Sequence, residues 1–389
     1  MRKDARNPQT VVFMYGRMVV NINTRMVYPF LSTFARGLGV DMTAISHVVT
    51  VRALLGAVSP FLAQIAEQRG RKTGILLGMG LYLISVSMVF AVPLYTVFFL
   101  SQIVGTLGFY LYMSSTQAYL GDQVPYQKRG TAMAMFELGW PLAFIFGMPM
   151  VSFWMGRYGW LGPYPALILL GVIALALLLR FIPRDPHEGR SAISVWKNFG
   201  QVVSSPMALT ALLLSFSFSV ANEVVNLVFG VWLESSFGIK LIALGAASAV
   251  IGLAEFGGDS LSATVADRLG KRRVVRFGMI LNGLVALSLP WMGQKLWGAI
   301  IGLFLFYITF EFSVTSSMPM ISELLPSARA TLLGANTAAY SLGRACGALL
   351  APWLYALGFH ANVVVAAFMV MVSLLALSRI RIKIPEPVM

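Results

Sequence analysis

Apolar runs of about 20 residues, parted by short polar stretches, recur along the whole chain, and each is long enough to carry a helix across the hydrocarbon core of a bilayer. Twelve can be marked, at approximately 11–35, 43–66, 73–92, 96–120, 131–155, 161–181, 207–233, 243–265, 274–291, 296–319, 331–356 and 361–379. One long polar stretch, PRDPHEGRSAISVWKNFGQVVSSP, separates the sixth run from the seventh. Pro183, Pro186 and Gly189 break regular structure there, and 194–203 fits a short amphipathic helix on the membrane surface. The pattern predicts an all-α membrane protein of about twelve transmembrane helices, a six-helix bundle over 1–182, a linker over 183–206 and a second six-helix bundle over 207–389.

Two loops occur twice. AQIAEQRGRK (63–72) and ATVADRLGKR (263–272) each place an acid, Glu67 or Asp267, three residues before a glycine, Gly70 or Gly270. Two cations follow at once. GDQVPYQKRGT (121–131) and SELLPSARAT (322–331) each place an acid, Asp122 or Glu323, three residues before a proline, and then an arginine, Arg129 or Arg329. Two similar halves in a membrane chain are the arrangement of secondary transporters.

Composition agrees with the apolar pattern. Hydrophobic residues make up 58% and charged residues 11%, where a soluble domain carries about 25% charge. The net charge of +14 would suit nucleic acid, but the cations gather in short loops and form no continuous basic face, so no nucleic-acid partner is expected. Twenty-one of the 29 Lys and Arg residues fall on one side of the predicted spans and only Arg36, Arg157, Lys240 and Lys295 on the other. The positive-inside rule then puts both termini and the linker in the cytoplasm. The basic N-terminus lacks a cleavage site of small residues, which predicts a retained first span with no soluble domain appended at either end. The single Cys346 and the scattered His47, His187 and His360 offer no metal-ligand spacing, so no metal or other cofactor is expected. Neither a phosphate-cradling glycine loop nor a nucleophile triad occurs, which speaks against an enzyme and against ATP-driven transport. The methionine clusters AMAMF and GMPMVSFWM read as packing.

Six plus six spans, a cytoplasmic middle loop and the duplicated acid–glycine–cation loop together resemble the major facilitator superfamily, over essentially the whole chain. Asp267-Arg268-Leu269-Gly270-Lys271-Arg272 matches the family's loop pattern closely. The first copy departs from it at Ala63, Glu67 and Gln68. The loop after the fourth span resembles an element common in bacterial drug and sugar efflux branches. The resemblance implies a gating role for Glu67, Gly70, Arg71, Asp122, Arg129, Asp267, Arg268, Gly270, Glu323 and Arg329; the alternative is that the cations only enforce topology. ELGWPLAFIFGMP in the fifth span, with Gly139, Pro141 and Gly147, departs from the glycine-proline pattern usual in the drug antiporters, which weakens export without removing it. Location in the bacterial inner (plasma) membrane and a monomeric state also follow from the likeness.

Ionised side chains near the bilayer centre cost about 2.5–3.5 kcal/mol each, so each calls for a reason. The candidates are Arg17, Arg25, Arg52 and Arg344 against Glu137, Glu223, Glu255, Asp259 and Glu311. The resemblance implies that spans one, four, seven and ten line a central cavity. Arg17, Asn21, Arg25 and Tyr28 share one helical stripe of the first span. Tyr110 and Gln117 come from the fourth, Ser219, Asn222, Glu223 and Asn226 from the seventh, and Glu311 from the tenth. Such a wall suits an amphipathic, zwitterionic or ionic organic solute better than a plain sugar. Arg17 could equally be a snorkelling anchor. Glu137, Glu223, Glu255, Asp259 and Glu311 are candidates for proton coupling, since carboxylates crowded in a low dielectric can bind and release protons near neutral pH. Arg52 and Arg344 could instead neutralise them statically, Glu311 with Arg344 being one candidate pair. Gly343 and Gly347 form a GxxxG, expected at a close helix contact. The expected activity is alternating-access, proton-coupled export of a small amphipathic compound, with that solute, protons and the lipid bilayer as partners. Uptake or exchange of an organic anion on Arg17 and Arg25, movement of a lipid-like amphiphile, and a non-transporting sensor or scaffold are the alternatives.

Overall fold

The computed structural model describes residues 8–59, 70–183 and 199–380, with backbone alone at 266–269. Every regular element among them is helical. The helices are α1 (Pro8–Arg25), α2 (Leu31–Leu38), α3 (Met42–Ala57), α4 (Arg71–Ala91), α5 (Tyr95–Gln123), α6 (Tyr126–Tyr158) and α7 (Pro163–Phe181). They continue with α8 (Phe199–Ser204), α9 (Pro206–Asn226), α10 (Phe229–Phe237), α11 (Leu241–Leu269), α12 (Lys271–Met292), α13 (Leu296–Ser322), α14 (Arg329–Ala356) and α15 (Phe359–Arg379). Nine helical stretches among the described residues are long and apolar enough to cross a membrane, or ten if α2 and α3, bent by 113° at their break, form one span. α1 and α14 fall outside that set because they carry Arg17, Asn21, Asn23 and Arg25, and Asn336 and Arg344, respectively. Of the surface helix expected at 194–203, residues 194–198 lie outside the described residues, and 199–204 is helical.

Helix interruptions follow from local chemistry. α1 stops at Arg25, and five turn residues that include Pro29, which has no N–H to give, lead into α2. Asp41 caps α3, its carboxylate accepting the Ala44 N–H at 2.8 Å. In α6 the helix widens to a π turn over Ala143–Gly147, between Pro141 and Pro149. Six described residues have positive φ and all are glycine. They fall into three pairs: Gly39 with Gly238, Gly70 with Gly270, and Gly159 with Gly358, at separations of 199, 200 and 199 residues. The turns that demand a residue without Cβ therefore recur in step along the chain, as do the loops.

The described residues fall into two compact units, one from Met1–Ala192 and Asn226–Leu253, the other from Ile193–Val225 and Ala254–Met389. In the first, Phe34 stacks on Phe98 with ring centroids 5.4 Å apart, and buried Tyr82 and Tyr112 donate to the carbonyls of Leu167 and Phe13 at 3.0 and 2.8 Å. In the second, Asn362 donates to Val224 O and Ala351 O, Asn282 to Phe306 O, and Phe218 stacks on Phe310 at 4.9 Å. Between lipid-embedded helices such hydrogen bonds and close packing replace the hydrophobic drive available in water.

Candidate functional site

In the first unit the expected stripe of α1 turns inward. Arg17, Asn21, Arg25 and Tyr28 are all buried, Asn21 completely. Gly139 allows α6 to approach: a Cβ there would sit 2.9 Å from Arg17 Cβ. The Arg17 guanidinium then lies 4.7 Å over the Phe136 ring, with Nη2 2.5 Å from Glu137 Oε2. Gln117 donates to the other Glu137 oxygen at 3.3 Å. Arg25 donates to Trp140 O at 3.0 Å and stacks on Trp140 and Phe144, at 4.0 and 3.6 Å from the ring centroids. Arg52 donates to Gln102 Oε1 at 3.2 Å, with the Tyr28 ring 6.0 Å away. Tyr110 is part-buried with its ring on Phe109, and Asn226 is buried at the end of α9.

Several polar atoms are buried and lack hydrogen-bond partners among the described residues: Arg17 Nε and Nη1 and both amide atoms of Asn21 on α1, and the hydroxyl of Ser115 on α5. A buried polar group left unsatisfied costs about 1–3 kcal/mol, so each of these atoms calls for a partner.

In the second unit the ionisable side chains within the spans are mostly acidic. Glu223 is wholly buried, and Arg344 Nε lies 3.4 Å from its Oε2. Gly343 and Gly347 make this contact: a Cβ at Gly343 would collide with Phe216 O, and one at Gly347 would sit 2.7 Å from Glu223 Cβ. The GxxxG is therefore a close helix contact, as expected. Ser219 and Ser215 bridge α9 to α14 by donating to Tyr340 O and Asn336 Oδ1 at 2.7 and 2.6 Å. Asn222, beside Glu223, is buried with its Oδ1 unpartnered among the described residues. Glycine serves again at Gly258, where a Cβ would sit 2.9 Å from Glu311 Cβ. That approach sets Glu255 and Asp259 on α11 beside Glu311 and Thr315 on α13, with Thr315 donating to Asp259 at 2.6 Å. Tyr340 lies within electrostatic reach of Arg344, Glu311, Glu223 and Glu255 together.

The duplicated loops form equivalent contacts in each unit. Arg71 pairs with Asp122 at 3.4 Å in the first, and Lys271 pairs with Glu323 in the second. Arg129 and Arg329 each donate back to the end of the preceding helix, to Val124 O at 2.9 Å and Ser322 O at 3.0 Å. Lys72 and Arg272 reach the ends of α7 and α15, donating to Ile182 O and Ser378 O. A cation at a helix C-terminus meets both the unpaired carbonyls and the negative end of the dipole. Gly70 and Gly270 open the turns that aim these cations. Glu67 lies outside the described residues, as do the side chains of Asp267 and Arg268.

The sequence reading missed a contact in the first unit between α2 and α10. Arg36 lies 2.9 Å from Glu234, which also accepts from Ser32. A Cβ at Gly230 would collide with Pro29 O, so the two backbones touch. The available signal was that Arg36 is one of four cations on the cation-poor side and Glu234 an acid at the same end of a predicted span.

The model of the Major Facilitator Superfamily matches residues 13–306 and 211–388. This chain belongs to the major facilitator superfamily. Among its relatives, the Bacillus subtilis (strain 168) uncharacterized MFS-type transporter YceJ is 23% identical over 346 residues, covering 88% of each chain. Multidrug resistance protein 2 of the same organism is 20% identical, covering 96% of each. A crystal structure of a D-xylose-proton symporter superposes with a TM-score of 0.79 at 17% identity, over 96% of this chain and 97% of that one. The chain is thus a multi-pass membrane protein with the superfamily's all-α fold, and its family is one of transporters, not enzymes.

Proposed function

We propose that this superfamily member exports a small amphipathic organic compound in exchange for protons. It works by alternating access between the halves 1–182 and 207–389, joined by the linker 183–206. The observation that carries the reading is the acidic cluster of the second unit, where Glu223, Glu255 and Glu311 share the surroundings of Tyr340 with Arg344. Carboxylates that outnumber their cation inside a membrane span are suited to take up and release protons, because holding every one of them ionised there is costly. In this reading Glu223, Glu255, Asp259 and Glu311 couple protons, Glu137 answers to Arg17, and Asn222, Asn226 and Tyr110 face the solute. Arg71, Asp122, Arg129, Lys271, Glu323 and Arg329 act as latches on the cation-rich side. The plasma (inner) membrane, a monomer, and both termini in the cytoplasm complete the reading, the last resting on cation asymmetry.

Unpartnered Arg17 and Asn21 atoms, with Arg25 between two aromatic rings, favour a second reading: the solute carries a carboxylate or similar anionic group. Purified protein in liposomes with a pH-sensitive dye inside tests both. Under an imposed proton gradient, cationic, zwitterionic and anionic compounds are added in turn. Proton flux evoked by cationic or zwitterionic amphiphiles supports the first reading, and flux or exchange evoked only by anions supports the second. Silence across all panels with folded protein would overturn proton coupling.

A further inference from the structure

A groove of about 520 Å³ opens in the second unit between α11, α12 and α13, apart from the charged cluster. Its walls are apolar: Leu261 from α11, Phe277 and Leu281 from α12, Leu305, Ile308 and Phe312 from α13. Phe277 is 63% exposed, and Leu261, Leu281 and Leu305 are also exposed, so on membrane-spanning helices this side faces lipid. Gly278 lets α12 close on α13 at the floor, because a Cβ there would run into Ser313 and Phe312. Thr309 is the polar lining residue among these walls, and its hydroxyl is already engaged with Leu305 O and Asn282. One cation, Arg273, lines the groove at the end nearest the loop. Neighbouring Lys271 and Arg272 are held by Glu323 and Ser378 O, whereas Arg273 is exposed. From Arg273 to Leu281 the groove follows α12 for about 12 Å.

We infer that this groove binds an acidic phospholipid, one acyl chain lying along Phe277 and Leu281 and the phosphate meeting Arg273. A chain leaving bulk lipid for an apolar groove gains no hydrophobic free energy, since lipid tails are as apolar as the walls. Any selectivity must come from the headgroup, and the one charged lining residue among the described residues is a guanidinium, matched to phosphate. Basic sites between helices on the cytoplasmic side are where anionic headgroups bind, and Arg273 lies in the first turn of α12, just after the turn at Gly270, within the cation-rich stretch 268–273. The site is independent of the proposed solute and its coupling ion.

Native mass spectrometry of the full detergent-purified chain, titrated with phosphatidylglycerol and with phosphatidylcholine of matched chains, tests this. The wild-type chain retains phosphatidylglycerol preferentially. Arg273→Gln lowers that retention about fivefold, to the phosphatidylcholine level. Arg276→Gln, an exposed cation on the same helix outside the groove, changes it less than about twofold. Leu281→Trp, which fills the groove, lowers retention of both lipids. Equal losses from Arg273→Gln and Arg276→Gln would reduce the effect to general surface charge and overturn the site. So would wild-type retention in Arg273→Gln, or displacement of the lipid by glycerol phosphate or by a neutral amphiphile at equal concentration.

Discussion

Replacing Arg344 by glutamine removes the guanidinium beside the most deeply buried carboxylate in the second unit. Glu223 has no exposed surface, and Arg344 Nε stands 3.4 Å from it. Breaking a buried ion pair from one side costs about 3–5 kcal/mol, because the remaining charge is left uncompensated. The Arg344 side chain keeps 27% of its surface exposed, so solvent screens part of the interaction and about 3 kcal/mol is the expected loss. Glu255 and Glu311 lie in the same field, and their repulsion keeps the loss from falling further. Glu223→Gln costs less, about 1 kcal/mol, since Arg344 can turn toward its exposed side. In the double variant the uncompensated charge is gone, so its loss falls below the sum of the singles by about 2 kcal/mol. Thermal unfolding of the four purified proteins in one detergent reads this cycle, with the Arg344→Gln midpoint lowest and the double variant above it. Losses that add within about 0.5 kcal/mol would refute the coupling, and Arg344 would then be an anchor at the helix surface.

Four further outcomes follow. Asn21→Leu removes two buried, unpartnered polar atoms and is expected to leave thermal stability unchanged or raised by about 1 kcal/mol while lowering the transport rate in liposomes; a marked loss of stability would show that Asn21 has a structural partner. Trp140→Ala deletes one of the two rings on Arg25 and is expected to cost about 2 kcal/mol in the same melt, a change within error sinking the cation–π argument. Arg36→Ala and Glu234→Gln break a pair whose arginine is 63% exposed, so each is expected to shift stability by less than about 1 kcal/mol while changing transport rate, measured as initial flux. Gly270→Ala places a Cβ at φ 84° and is expected to destabilise by about 1–3 kcal/mol, read as a lowered unfolding midpoint; no change would mean that the turn can relax.

Spans were legible because a bilayer imposes a length and a polarity that each helix must meet alone. The twelve apolar runs each have a helical counterpart, but their interruptions were hidden. The break at 26–30 lies within a single apolar run, and the π turn of α6 lies between two prolines with Gly147 packed against Ile22 of the distant α1. The inventory of buried charges was legible for the same reason as the spans. Their partners were not: Arg17 meets Glu137 and Arg36 meets Glu234 across 120 and 198 residues of chain. Helical periodicity gives the face a side chain points to, and nothing in it says which distant helix comes to meet that face.

The loops and the charged walls behave differently under the same duplication. Ion pairs, helix-end clamps and positive-φ glycines recur 199–201 residues apart with their chemistry nearly unchanged: Arg71–Asp122 corresponds to Lys271–Glu323, Arg129 to Arg329, and Gly70 to Gly270. The walls share no such register. Within the spans of the first unit Arg17, Arg25 and Arg52 outweigh Glu137 and are sheathed in aromatic rings, while in the second Glu223, Glu255, Asp259 and Glu311 outweigh Arg344. Repetition of the loops is explained by what every such helix end needs, a cation on its open carbonyls. A charge held in a span meets no comparable general need, since each adds a cost that any apolar residue would avoid. Opposite charge on the two walls therefore argues for separate tasks, with solute contact centred on Arg25 and Asn21 and proton exchange on Glu223, Glu255 and Glu311. On that division Arg25→Gln changes the apparent affinity for solute and leaves the pH dependence of transport in place, whereas Glu311→Gln does the reverse; a variant that moved both together would merge the two tasks into one site.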